Sequence, residues 1–467
     1  MTVAIDYIQN FFKREDIRSF ISRSWAISWP MTLIMFFEFL ISLADVYIAG
    51  KISKEIQAAY GFVTQIYFIF TVIGNALTVG TVAVISRLCD ALEEENYSKA
   101  VFSTVITTSI AGLILGITGI ALTPLIFNFL SIPDVLKEFG RPLASIYAGG
   151  LIFHYILINT NGILRACKGI KKSLRTMAVV CVTNVGLNFF FVFLTPLGFK
   201  GIALSTAISV AIGGLWNLWL IKDFLIRIKK IAFDVVRKVT TIGWPSGLLQ
   251  IIWQTASMVL FLIISALPEN NIETVAAFTN GLRIEAAIFL PAFAFNMSNA
   301  VVVGNLLGEK KANDAFKAGI ITAAIGVIII TILTVLIIFN ARIIAAMLSK
   351  NDIVINETVK YLHICLISEP FMAWGVILGG GLNGAGDTKS VMTRVALSVW
   401  LVRIPLCYIF GVLLDFGAVA IWWSMNASLL VQAILISMRY FRKKWLVESS
   451  PELFTAEIPK VAEAKNF

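Results

Sequence analysis

Three features of this chain predict an all-α membrane protein: twelve transmembrane helices in two six-helix lobes, related by a pseudo-two-fold axis along the membrane normal. Composition is the first. Of 467 residues, 58% are hydrophobic and 14% charged, and mean hydropathy is +0.85, outside the range of ordinary soluble domains. The second is the recurrence of apolar runs of about twenty residues, the length a bilayer-crossing helix needs. These runs are continuous, without the period-two alternation of a β-barrel. The third is an internal repeat. Trp29-Pro30 opens the first strongly apolar run and Trp244-Pro245 the seventh, 215 positions later. Residues 80–100 and 298–317 are both Gly-containing apolar helices ending in a polar turn, and the turn 165–171 returns 218 positions on as 383–389. A repeat with an even number of spans keeps its orientation. Two similar bundles therefore face each other across a central cleft, the architecture of a secondary transporter.

The elements follow in order. An N-terminal segment, 1–24, carries Ile5, Ile8, Phe11, Phe12 and Phe20 on a charged, amphipathic stretch suited to the inner membrane surface. It lacks the apolar core of a cleavable signal. Spans are predicted at 25–49, 57–83, 99–125, 140–164, 175–195 and 200–221, which together form an N-lobe, 25–221. A cytoplasmic linker, 222–236, leads to a C-lobe, 237–440, with spans at 237–266, 275–303, 314–340, 357–382, 391–413 and 417–438. The tail, 441–467, is polar, holds Pro451 and Pro459, and reads as disordered.

Basic residues orient the bundle. Twenty-eight lysines and arginines fall on the side of both termini and eight on the other, while Arg283 and Arg403 lie inside spans. The positive-inside pattern places both termini in the cytoplasm and the chain in the inner, or plasma, membrane. The net charge of +10 follows from this pattern and not from nucleic-acid binding, because no soluble domain remains to carry it. Five cysteines (Cys89, Cys167, Cys181, Cys365, Cys407) lack metal or redox spacing and read as reduced packing residues. His154 and His363 are isolated on apolar stretches, as packed or cavity-facing histidines are. No Walker A motif, zinc-ligand cluster or nucleophile elbow is present, which argues against an ATP-driven pump, a hydrolytic enzyme and any bound cofactor.

Ionisable residues within spans cost a few kcal/mol by insertion scales, so each asks for a reason. Glu38 and Asp45 share span 1. Seven residues are nearly two helical turns, so both fall on one face, about 10 Å apart along the axis. A carboxylate there can exchange a proton during transport or, ringed by oxygen ligands, hold a small hard cation. Candidate oxygens are Asn161 in span 4, Asn184 and Asn188 in span 5, and Thr206 in span 6. Asn184 and Asn188, four apart, share a face. These polar residues serve either as ligands or as interhelical hydrogen bonds. The C-lobe carries Arg283 and Glu285, Glu369 before Pro370, and Arg403 before Pro405. Those four charges form either a self-neutralising structural network or a second ion- or substrate-responsive site.

At these residues the chain resembles the multidrug and toxic-compound extrusion (MATE) transporters, most closely a prokaryotic, DinF-like branch. The likeness rests on Trp29-Pro30 through Ala44-Asp45-Val46-Tyr47-Ile48-Ala49-Gly50, on Arg283-Ile284-Glu285 through Leu290-Pro291 and Val303-Gly304-Asn305-Leu306-Leu307-Gly308, and on Gly384-Ala385-Gly386-Asp387-Thr388-Lys389. It implies an antiporter that expels organic cations or other amphiphiles against inward flow of protons or sodium ions. It also implies an N-lobe ion site to which Asp45, Asn161, Asn184 and Thr206 correspond. Asn188 stands where that branch has a second aspartate, and Glu38 adds an acid where it often has a neutral residue. Partway along span 7, where some relatives carry a functional acid, this chain has Trp253 and Gln254.

Losing one carboxylate weakens the balance a sodium ion needs, whereas a lone buried acid still binds and releases a proton. The expectation is therefore proton coupling through Asp45, with Glu38 as an auxiliary proton or substrate-cation site. Under sodium coupling the metal ligands would be Asp45, Asn184, Asn188 and Thr206. The expected partners are small cationic or amphiphilic substrates and the bilayer, with a monomer as the functional unit. Two alternatives stay open: a lipid-linked oligosaccharide flippase of the same superfamily, and a channel or intramembrane enzyme.

Overall fold

The computed structural model describes residues 14–89, 94–129, 133–167, 169–227, 230–268 and 271–448. Among them, twelve helices are long and apolar enough to cross a membrane. The first six are α1 (Arg14–Ile52), α2 (Lys54–Leu88), α3 (Glu94–Phe129), α4 (Asp134–Ala166), α5 (Ile170–Phe193) and α6 (Lys200–Leu220). The second six are α7 (Phe233–Ser265), α8 (Asn271–Gly308), α9 (Ala312–Phe339), α10 (Asp352–Gly384), α11 (Thr388–Leu413) and α12 (Gly417–Phe441). A short helix, Lys222–Arg227, occupies the linker.

The helices run past the predicted apolar spans, because hydrocarbon length sets the apolar run and not where the helix stops. α1 is already helical at Arg14, so much of the segment read as a separate interfacial piece is the beginning of this helix. Residues 1–13 and the tail beyond 448 lie outside the described residues. A single residue, Ser53, separates α1 from α2. Its extended backbone (φ −163°) ends one helix, and its hydroxyl accepts the Ile56 amide at 3.1 Å to cap the next. Two helices are irregular where proline interrupts the hydrogen-bond ladder. α10 passes through a 3₁₀ turn, Leu366–Ser368, and restarts at Glu369-Pro370. α11 carries π-helical turns, Leu397–Arg403 and Ile409–Leu413, on either side of Pro405.

In the N-lobe α4 packs on α2, α3 and α6, and α1 on α5; in the C-lobe α10 packs on α8, α9 and α12, and α7 on α11. The lobes meet through α1 with α8 and α9, and through α2 with α7 and α8. Adding six to each index turns the pair α1–α8 into α7–α2, so the interface obeys the pseudo-two-fold that the repeat predicts.

Contacts between the lobes gather at one end, that of the N-terminus of α1. There Arg23 pairs with Glu309 at 2.7 Å, Ser24 bonds Thr322 at 2.6 Å, and Ser28 bonds Ser298 at 2.8 Å. Arg87 donates to the Ala385 carbonyl at 2.5 Å. Asn305, its amide turned to donate, reaches the carbonyls of Ser86 (2.8 Å) and Ala166 (3.0 Å). Glycine lets backbones touch here: a Cβ on Gly80 of α2 would sit 2.1 Å from the Val239 carbonyl of α7, and one on Gly243 of α7 would sit 2.3 Å from the Ala76 carbonyl of α2. At the opposite end of the N-lobe, the buried cluster of Ile48, Ile56, Tyr60, Leu143, Val192 and Ile202 draws on that lobe alone. The cleft is closed at the N-terminal end and open at the other.

Cys89 and Cys167, just past the ends of α2 and α4, form a disulfide with Cα atoms 5.6 Å apart. This corrects the reading of five reduced cysteines for that pair; Cys181, Cys365 and Cys407 are buried and free. α2 and α4 run parallel, so their ends meet across 78 residues of sequence, a convergence that local spacing does not show.

Candidate functional site

Asp45 lies seven residues before the end of α1 and is 2% exposed. Its carboxylate is met by three neutral donors. Asn188 of α5 gives its amide nitrogen to Oδ1 at 2.5 Å; Thr206 of α6 and Tyr60 of α2 give hydroxyls to Oδ2 at 3.0 and 3.4 Å. A second layer holds these donors in place. The Asn184 amide donates to Thr206 Oγ1 at 3.0 Å and its oxygen accepts from Asn188 at 3.3 Å, while the Ser205 hydroxyl lies 2.7 Å from Asn188 Oδ1. The buried Tyr147 hydroxyl closes the site beside Tyr60 and Thr206 without completing a hydrogen bond. Asn188 thus turns a donor, and not its oxygen, toward the acid.

Four predicted residues, Asp45, Asn184, Asn188 and Thr206, therefore come together as one site. Asn161 does not join them. It belongs to a separate buried network, its oxygen accepting from Ser173 (2.8 Å) and Asn217 (2.9 Å) and its nitrogen facing Met177 Sδ (3.2 Å). The reason is depth. Tyr147 is the α4 residue at the level of Asp45, and fourteen residues of helix put Asn161 about 21 Å farther along. Three participants were missed: Tyr60, Tyr147 and Ser205. Tyrosines in otherwise apolar spans were the available signal for the first two.

Glu38 is on the same face of α1 but in a different setting. Its side chain is exposed, flanked by Met35, Phe37 and Ile41, which pack beside Leu157, Met177 and Met297. Arg165, in the last turn of α4, is the positive charge that acts on it, without a direct ion pair.

In the C-lobe, three of the four predicted charges converge. The Tyr361 hydroxyl donates to Glu285 Oε1 at 2.6 Å. Arg403 donates to the Ser428 hydroxyl at 2.8 Å and stacks over the Trp253 ring, 5.0 Å from its centroid. Glu369, 1% exposed, shares this field with one carboxylate oxygen unpartnered. Arg283 points elsewhere and is exposed, since residues two apart on a helix face nearly opposite ways. Of the histidines, His154 lies edge-on to Tyr67 and His363 is exposed.

Both lobes match one family pattern, MatE, over residues 30–190 and 245–409. An uncharacterized transporter, YisQ, of Bacillus subtilis is 24% identical over 436 residues, which is 90% of this chain and 94% of YisQ. A probable multidrug resistance protein, NorM, of Pasteurella multocida is 23% identical across 88% of this chain and 92% of its own. Among solved structures, a MOP superfamily transporter from Pyrococcus furiosus superposes with a TM-score of 0.84 at 20% identity, covering 91% of this chain and 96% of that one. It shares the fold.

Proposed function

Because the chain belongs to the MatE family, the multidrug and toxic-compound extrusion transporters, we propose that it expels small cationic or amphiphilic compounds in exchange for protons bound at Asp45. Multidrug efflux is the activity, and the coupling ion and antiport are our reading. One observation carries that reading: a single buried carboxylate held by donors from α2, α5 and α6, with an amide nitrogen where a sodium ligand would present oxygen.

The chemistry of the switch follows from hydrogen-bond polarity. An ionised Asp45 accepts from Asn188, Thr206 and Tyr60 together, which ties α1 to its three neighbours. A proton on either oxygen turns an acceptor into a donor and displaces at least one of those bonds. The outer part of α1 is then released to move against α2, α5 and α6. The same helix carries Glu38, so proton binding at Asp45 also shifts the acid that we assign to meeting a cationic substrate. With both termini in the cytoplasm, the closed end faces inward and the conformation is outward-open. Rocking of the lobes about the pseudo-two-fold axis completes the cycle. Both lobes belong to one chain, so a monomer contains the whole pathway.

The test is Asp45→Asn in proteoliposomes loaded with a fluorescent organic cation. Asparagine keeps the volume and one acceptor oxygen but cannot take up a proton. We expect gradient-driven efflux to be lost while the protein remains folded and inserted. Efflux at the wild-type rate from that variant would remove Asp45 from the mechanism.

A further inference from the structure

The Cys89–Cys167 bond forms part of the wall of a cavity of about 360 Å³ at the closed end of the molecule, a volume that takes a small ligand. Tyr97 and Phe224 supply apolar wall, and Glu94 and Lys172 bring charge to it. Glu94 and Lys172 are exposed and both cysteines are half-buried, so the bond is within reach of solvent. Cys181, Cys365 and Cys407, by contrast, are buried and free. With Cα atoms 5.6 Å apart, inside the range a disulfide spans, the pair needs no backbone movement to close. The cytoplasm keeps thiols reduced, and a pair that bonds there is usually transient, catalytic or redox-sensing.

The pair also adjoins the seam between the lobes. Asn305 of α8 gives its amide to the carbonyls of Ser86, at 2.8 Å, and Ala166, at 3.0 Å. Ser86 stands three residues before Cys89, and Ala166 is the neighbour of Cys167. A single side-chain amide of the C-lobe thus spans the ends of α2 and α4, and it reaches both carbonyls only while those ends keep their spacing. Gly308 of α8 packs on the same turn of α2, where a Cβ would sit 2.3 Å from the Arg87 carbonyl oxygen. The disulfide fixes the spacing covalently, and the C-lobe reads it through Asn305.

We propose that Cys89 and Cys167 are a redox-reactive site that exchanges with low-molecular-weight disulfides, and that the bonded form favours closure of the lobes at this end. One cysteine thiolate attacks a sulfur of the small disulfide, bonds to it and expels a small thiolate. The second cysteine thiolate then attacks the sulfur of the first, forms the Cys89–Cys167 bond and expels the other small thiolate. The cysteine pair loses two electrons, the small disulfide gains them, and the two cysteine protons end on the two released thiols. The cavity houses the small partner while the mixed disulfide lasts. Small thiols in excess run the same steps backward. An oxidised cytoplasm thereby holds the exporter outward-open. This inference rests on the reading that the closed end faces the cytoplasm, and adds to it a means of regulation.

The experiment equilibrates the full-length protein, in nanodiscs, with mixtures of reduced and oxidised glutathione. Peptide mass spectrometry after alkylation reads the bonded fraction. Spin labels on thiol-free unnatural side chains at Lys171 and Lys389 read the separation of the lobes. The bonded fraction should rise with the share of oxidised glutathione, and the ratio of closed to open forms should be at least about fivefold higher in the bonded protein. Cys89→Ser and Cys167→Ser should each hold that ratio at its reduced value in every mixture. Cys167→Ser should also retain one glutathione on Cys89, which separates exchange at this site from general oxidation. A wild-type pair that stays unbonded in oxidised glutathione, or stays bonded in reduced glutathione, overturns the inference. Equal lobe distances in the two forms overturn it alone and leave the efflux reading standing. Labelling of the reduced pair in intact cells by a membrane-impermeant maleimide overturns the orientation, and the inference with it.

Discussion

Replacing Gly80 by alanine adds one methyl group where a glycine comes nearest to the other lobe's backbone. The new Cβ would sit 2.1 Å from the Val239 carbonyl oxygen, whereas carbon and carbonyl oxygen normally approach to about 3.3 Å. The shortfall is about 1.2 Å. The obstructing atom is backbone, so no rotamer change relieves it and α2 must move away from α7. Overpacking of this kind costs about 1–3 kcal/mol, which shifts the ratio of closed to open forms at this end by a factor of about 5 to 150. Electron paramagnetic resonance distances between spin labels at Lys171 and Lys389, exposed residues in the two repeated turns, report that ratio. We expect Gly80→Ala to move the distribution toward longer distances and to slow transport. Gly243→Ala should do the same, its Cβ falling 2.3 Å from the Ala76 carbonyl. The double variant should cost less than the sum, because one separation relieves both contacts. Gly61→Ala, on the same helix with nothing within 4 Å of the added carbon, is the control. If Gly80→Ala leaves the distribution like that of Gly61→Ala, the seam does not hold the lobes closed.

Three further outcomes follow from other contacts. Tyr361→Phe removes the 2.6 Å bond to Glu285 and should cost about 1–3 kcal/mol. Arg403→Gln leaves two buried carboxyls without their cation and should cost more, about 3–5 kcal/mol. Thermal unfolding that ranks them the other way would contradict the C-lobe reading. At the seam, burial works against the charge of Glu309, but the hydrogen bonds and charges of Arg23 and Lys311 outweigh it and hold the carboxyl below its ordinary pKa. A carboxyl lowered in the folded state lends its stability above the unfolded value, about 4.3, and loses it as pH falls. Closure at this end should therefore loosen in acid, and Glu309→Gln should flatten that pH step in the same distance measurement. Finally, a short cleavable crosslink between Lys171→Cys and Lys389→Cys should stop transport, with recovery on cleavage. Undiminished transport by the fully linked protein would contradict rocking of the lobes.

The lobes, spans and most of the Asp45 site were legible because their signals are local or repeated. Apolar length marks a helix, Trp-Pro pairs 215 apart mark the repeat, and Asn184 with Asn188 mark one face of α5. Depth was not legible. Asn161 sits in an apolar span like Asn184, yet its place along α4 puts it beside Ser173 and Asn217. Nor was convergence across helices: Tyr60 reaches Asp45 only because Ser53 folds α2 back within one residue. The separation of Arg283 from Glu285 was readable from helical geometry, since two residues turn the side chain through about 200°. The Cys89–Cys167 pair was not, because only the parallel course of α2 and α4 joins positions 78 apart.

Proton coupling through Asp45 is tested most directly by imposing one gradient at a time on proteoliposomes. Substrate efflux is expected under a proton gradient in sodium-free buffer, none under a sodium gradient at constant pH, and none under either with Asp45→Asn. Transport that runs on sodium at constant pH and stops without it would contradict proton coupling. In that case Asn188 would have to turn its oxygen, now held by Ser205, toward the ion.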